Sequence, residues 1–192
     1  MSSTNKKWGF TQENTDKPLY GIFFCSRNKD NRELKDFKER RHSFLSTDIE
    51  EAQKQFGHFV EDGRSGEFCR MYVSVNTRDR EKIKKGLLLW LINESNPNLE
   101  LIRAKICGIA MKHENAETKK WLFDFDSEDM TQLEDFLEEL CDMGIKFKYF
   151  KTPHGYAVIT DHGFDTREIL KDRDYITLKR DDMLCYKWKI KC

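Results

Sequence analysis

The sequence predicts an α+β fold: a mixed or antiparallel sheet with helices packed on it. Two observations carry this expectation. Short runs rich in aromatic and β-branched residues recur along the chain, at 19–25, 68–75, 121–126, 145–150, 156–160, 175–179 and 184–190. Between them lie stretches whose apolar residues return at helical rather than strand spacing. Strands, helices and a tight hairpin turn are thus interleaved, and the 192 residues suffice for one domain with a substantial core. That domain is expected over 18–192, preceded by a polar, loosely attached segment at 1–17.

In chain order, Leu19 to Cys25 has strand composition, and the charge-dense stretch 26–43 that follows reads as a solvated helix or loop, or more sharply as a phosphate-contacting arm. Ser46-Thr47-Asp48, followed by Glu50 and Glu51, marks a helix start. Ile49, Ala52, Phe56, Phe59 and Val60 fall on its core face, and it ends near Gly63. Phe68 to Val75 is a strand with Phe68, Arg70, Tyr72 and Ser74 on one face. Asn76-Thr77-Arg78-Asp79 caps a helix running to about Asn93. Its run Leu87 to Ile92 is apolar on most sides and predicts a central position. Asn76 and Arg78 stand at a strand end, a usual place for ligand contacts, although capping explains Asn76 equally well.

Asn96-Pro97-Asn98 is a turn, and residues 99–113 have helical spacing. A helix from Ser127 to Met143 carries Met130, Leu133, Phe136, Leu137, Leu140 and Cys141 in one stripe and stops at Gly144. Ile145 to Phe150 and Tyr156 to Thr160 form a hairpin about Thr152-Pro153-His154-Gly155. A short helix near Thr166 to Leu170, a strand at Tyr175 to Lys179, a turn at Asp181-Asp182 and a last strand at Leu184 to Ile190 complete the chain. This order suggests a sandwich of the RNA-recognition-motif kind.

The stretch most suggestive of chemistry is Trp121 to Asp126. As a strand it sends Trp121, Phe123 and Phe125 to one face and Leu122, Asp124 and Asp126 to the other. The two carboxylates then stand roughly 6.5–7 Å apart along the strand. Like charges at that separation repel unless a cation lies between them, so the pair is a candidate site for Mg²⁺ or Mn²⁺. The competing explanation is a strand end in solvent, with Asp126 or Ser127 capping the next helix. Lys148, Lys151, Lys179 and Arg180 are placed in sequence to neutralise phosphates, although an ordinary solvated strand face explains them too.

Composition bounds the function classes. Formal net charge is zero, from 34 basic and 34 acidic residues, so whole-molecule charge gives no case for nucleic-acid binding. The distribution is uneven: residues 124–142 hold nine acids and no Lys or Arg, whereas 146–192 hold eleven Lys or Arg against seven acids. A local basic surface beside a carboxylate site is therefore compatible with neutrality. The six cysteines are dispersed without a C-x-x-C pair, which speaks against zinc. With no apolar leader and no run long enough to span a bilayer, the expectation is a reduced cytoplasmic protein without membrane contact.

The hydrophobic-D-hydrophobic-D strand end, the helix after it and the hairpin Lys151-Thr152-Pro153-His154-Gly155-Tyr156-Ala157 together resemble the core of the archaeo-eukaryotic primase and primase-polymerase superfamily. The resemblance covers roughly residues 70–190, placing a primase-like core at about 68–192. It implies that Asp124 and Asp126 ligate catalytic metals, that a hairpin histidine contacts nucleotide phosphates, and that a later acid completes the site. His154 is the candidate histidine, but it lies on the turn, whereas the family pattern expects a histidine about where Ala157 stands. Asp181 or Asp182 matches the later acid. Implied partners are nucleotides and DNA or RNA, in DNA replication of a phage or mobile element. Two other readings stay open: a catalytically degenerate primase-like domain that binds nucleic acid or a protein partner, and a metal-dependent phosphohydrolase or nuclease.

Overall fold

A computed structural model describes residues 17–192. The expected loose segment at 1–17 therefore lies, apart from Lys17, outside the described residues. The strands are β1 (Tyr20–Ser26), β2 (Arg40–Ser46), β3 (Phe68–Ser74), β4 (Trp121–Phe125), β5 (Phe147–Thr152), β6 (Gly155–Thr160), β7 (Ile176–Lys179) and β8 (Met183–Ile190). The α-helices are α1 (Ile49–Glu61), α2 (Arg80–Asn93), α3 (Ile102–Ala110) and α4 (Met130–Asp142). The class is α+β, but the strands form two four-stranded antiparallel sheets rather than one, in the orders β2-β1-β3-β8 and β5-β6-β4-β7.

Alternation explains the separation. In the first sheet, Ile22 and Phe24 of β1 and Cys69, Met71 and Val73 of β3 bury one face against Ala52, Phe56 and Val60 of α1. In the second, Phe123 and Phe125 of β4 and Val158 of β6 bury one face against Leu133, Phe136 and Leu140 of α4. Phe125 and Phe136 meet edge to face, 5.1 Å between ring centres. Each such aromatic contributes about 1.5–3 kcal/mol through burial, so each sheet is committed to its own helix. The opposite faces meet through a smaller cluster of Val75, Leu122, Ala157 and Leu184. The chain crosses between sheets more than once, and its last crossing is the short turn from β7 to β8.

Most expected elements are present, with informative differences. Arg40–Ser46 is an edge strand inside and beyond the stretch read as helix or loop; its charges suit an edge position. The segment 166–170 is turns rather than a helix, although Ile169 enters the second core. The expectation that α2 is central is overturned. Only Ile83 is buried along it, and Leu88, Leu89 and Ile92 are exposed, Ile92 by 78%. An apolar run lacking helical periodicity cannot put all its residues on one core face; α2 packs only one side, against Leu19, Ile109 and Ala110. No described helix is long and apolar enough to cross a membrane. All six cysteines are free thiols; Cys25, Cys69, Cys107 and Cys185 are buried. Burial pushes the Cys69 and Cys185 thiols up to about 11.

Candidate active site

β4 is an inner strand, flanked by β6 and β7, so its cleft-facing side chains project from a supported surface. Asp124 lies opposite Ala157 on one neighbour and Thr177 on the other. Asp126 follows at the strand end, where its backbone N–H donates to the Tyr175 carbonyl at 2.9 Å. Leu122, Asp124 and Asp126 all line a cleft of about 210 Å³ between the two sheets. The shared face expected from alternation is thus present. Neither aspartate caps α4, because Asp129 does so, accepting from the Thr131 N–H.

The hairpin closes one end of this cleft. Gly155 has φ +153°, and a Cβ there would lie 2.0 Å from the Phe125 carbonyl oxygen. Only glycine lets the β5–β6 turn approach the end of β4 so closely. That approach carries Thr152, Pro153 and His154 to the cleft wall. His154 Nε2 lies 3.0 Å from Arg70 Nη2. Arginine can only donate, so in this contact Nε2 is the acceptor. Ala157 is buried and its small side chain lines the cleft beside Asp124.

The first sheet supplies the opposite wall, with Arg27, Lys29, Arg70 and Tyr72. Asp30 organises it. It accepts from Arg70 at 2.7 and 2.9 Å and from Arg27 at 2.8 and 3.1 Å. Burial opposes ionisation of Asp30, yet hydrogen bonds from Arg27 and Arg70 hold its carboxyl below the usual carboxylate range. Two guanidinium groups share one carboxylate, so this wall keeps excess positive charge facing Asp124 and Asp126.

Lys179 connects to the acidic wall. It lies opposite Leu122 on β7, so its side chain shares the face of Asp124. Its ammonium donates to Asp124 Oδ2 at 2.9 Å and stands 3.4 Å from Asp182 Oδ2. Burial works against that charge, but Asp124 and then Asp182 outweigh it and raise the Lys179 pKa. Asp126 makes no ion pair among the described residues.

The other predicted residues are not drawn into the cleft. Asp181 is turned away: it accepts from both Arg78 terminal nitrogens, at 2.8 and 2.9 Å, and from the Asn76 amide at 3.1 Å. With side chains 0% and 4% exposed, Arg78 and Asp181 form a buried clasp. Assignment of Asp181 as a third metal ligand is therefore corrected; its neighbour Asp182 is the acid linked to Asp124, through Lys179. Asp181 lies in the bend between β7 and β8 and reaches Arg78, whereas Asp182 leads directly into β8. Asn76 and Arg78 belong to the same clasp, and the cap of α2 is Asp79. Lys148 is exposed on the edge strand β5, Lys151 lies over the Tyr156 ring at 4.5 Å and Arg180 over the Trp121 ring at 5.4 Å. Of the four predicted cations, Lys179 alone lines the cleft.

Sequence reasoning passed over Arg70 as a site residue. The available signal was a lone arginine within the otherwise apolar strand FCRMYVSV, on the face of Tyr72. Arg27 and Lys29 fell within the arm considered for phosphate contact.

Asp124 and Asp126 present hard carboxylate oxygens to a polar cleft, which suits Mg²⁺ or Mn²⁺ completed by water and substrate phosphate. No group of three His, Cys, Asp or Glu side chains among the described residues is arranged to hold a metal, so protein ligands alone do not form a cage. No family model and no curated protein matches the chain.

Proposed function

We propose that the chain is a metal-dependent nucleotidyltransferase of the primase-polymerase kind, acting on nucleotides and on DNA or RNA. The observation carrying this reading is the two-walled cleft: Asp124 and Asp126 face Arg27, Lys29, Arg70 and His154 across one small space. A nucleoside triphosphate matches that polarity, its phosphates lying toward the cations while the carboxylates hold Mg²⁺ or Mn²⁺. When bound, the metal would polarise a phosphoryl oxygen and offset charge that develops on it. Arg70 is held in place by Asp30 and makes a rigid donor toward an anion. Lys29 adds exposed charge, and the buried Ala157 leaves room beside Asp124.

This reading predicts that the full chain with Mn²⁺ extends a primed template or joins nucleotides into dinucleotides, and that Asp126→Asn abolishes this. Simple phosphate-ester hydrolysis without nucleotide transfer would favour the phosphohydrolase reading instead. A second reading has its own support: Ala157 in place of the expected histidine, and Lys179 seated on Asp124, suit a catalytically silent module that binds nucleic acid or a protein partner. On that reading, nucleic-acid affinity survives Asp126→Asn and falls steeply with added salt.

A further inference from the structure

We propose that Lys179 is a tethered cation that competes with divalent metal for Asp124 and withdraws when a phosphate ligand enters the cleft. This inference rests on the reading of the cleft as a metal-dependent nucleotidyl-transfer site.

The geometry begins with strand register. Lys179 and Asp124 occupy diagonal positions on adjacent strands and share one face, which brings Nζ to 2.9 Å from Asp124 Oδ2. A magnesium-sized ion binds a carboxylate oxygen at about 2.1 Å, so metal and ammonium cannot share Oδ2 without close like-charge repulsion. Binding of a metal at Oδ2 therefore requires the ammonium to move from its place 2.9 Å away.

It has the means. The ammonium sits on a flexible four-carbon stem with three rotatable donors, and its side chain is 33% exposed. Asp182, 44% exposed and 3.4 Å away, offers a second resting place in reach. Arg70 makes an instructive contrast: its side chain is 6% exposed, and Asp30 grips it at two atoms. The cleft therefore has a fixed cation on one wall and an exchangeable one on the other. An anionic ligand attracted by the fixed wall also gives Lys179 a partner other than Asp124. Metal and phosphate ligand should consequently strengthen each other's binding, and by linkage the effect is reciprocal.

The test is Mn²⁺ binding to the full chain, followed by electron paramagnetic resonance without nucleotide. Lys179→Met keeps the stem and removes the charge; Lys179→Gln is the second variant, and thermal melts confirm that each is folded. The expected result is Mn²⁺ binding about two- to fivefold tighter than in the unaltered chain, the scale of one partly exposed ion pair. Adding Asp124→Asn to Lys179→Met should erase the gain. Adding a non-hydrolysable nucleoside triphosphate should tighten Mn²⁺ binding more in the unaltered chain than in Lys179→Met. Unchanged or weaker Mn²⁺ binding in both lysine variants would overturn the competition while leaving the carboxylate site standing. Absence of Mn²⁺ binding in all variants, with or without the triphosphate, would overturn both the competition and the reading beneath it.

Discussion

Two ion pairs lie near the β7–β8 turn, and they differ in nearly every physical respect. Arg78 and Asp181 are almost wholly excluded from water, joined at two atoms, and supported by the Asn76 amide. Asn76 in turn accepts from the Lys120 N–H at 2.7 Å and the Thr118 hydroxyl at 2.9 Å, tying the approach to β4 to the end of β3. Lys179 and Asp124 are each a third exposed and joined by a single hydrogen bond on the cleft wall. Both pairs join oppositely charged residues distant in sequence, yet one is a fastening between sheets and the other an exchangeable contact at a candidate site. The difference is solvent: a charge that cannot reach water depends on its partner, whereas a half-solvated one can change partners at small cost.

The largest expected effect comes from breaking the buried pair. Arg78→Ala or Asp181→Asn leaves a charged group without its partner in a dry site and should cost about 3–5 kcal/mol. Urea denaturation would show this as a fall in the midpoint with little change in slope. A cost below about 1 kcal/mol would mean that the pair is hydrated in solution. Next is Asp126→Asn, expected to lower nucleotide incorporation by roughly a hundredfold or more if the cleft is catalytic, equivalent to about 2.7 kcal/mol of barrier. Its thermal stability should change little, because Asp126 is exposed and has no ion pair among the described residues. Loss of activity together with loss of folding would remove the distinction between site and scaffold.

Acid should expose the same contrast on the opposite wall. The folded-state pKa of Asp30 is lowered, so its stabilisation is present above its ordinary value near 3.8. That contribution is lost as the pH falls from there through the lowered folded-state value. Urea midpoints measured from pH 5 down to pH 2.5 should decline for the unaltered chain, and Asp30→Asn should lack this component. One group can account for a slope of at most about 1.4 kcal/mol per pH unit. The smallest effect belongs to Lys179→Met, whose stability should stay within about 1 kcal/mol of the parent even as Mn²⁺ binding changes. A large destabilisation there would make Lys179 a structural fastening like Arg78.

The pair at 124 and 126 shows how much of the site could be read directly. Strand alternation dictated the shared face, and proximity of two carboxylates demanded a nearby positive charge. Which cation would stand there was not legible. Lys179 is 55 residues away from Asp124 in sequence, and only β4–β7 pairing brings them together. Asp124→Asn would both relieve repulsion between the carboxylates and remove the ion pair with Lys179. Arg70 was similarly hidden, since its partner Asp30 is 40 residues away and its meeting with His154 requires the two sheets to face each other.

Local chemistry alone was enough for the α+β class, the alternation of β4, the stripe of α4, the Asp48 start of α1 and the hairpin around Gly155. These depend on side-chain period, capping and backbone freedom, all properties of neighbouring residues. Tertiary structure decided the division into two sheets, the exposed side of α2 and the opposite fates of Asp181 and Asp182. Strand pairing and burial between remote segments set those outcomes, and a linear pattern carries no record of which strand becomes another's neighbour. The adjacent aspartates make the point most sharply: equal charge and nearly equal sequence position, one sealed against Arg78 and the other sharing Lys179 with the cleft.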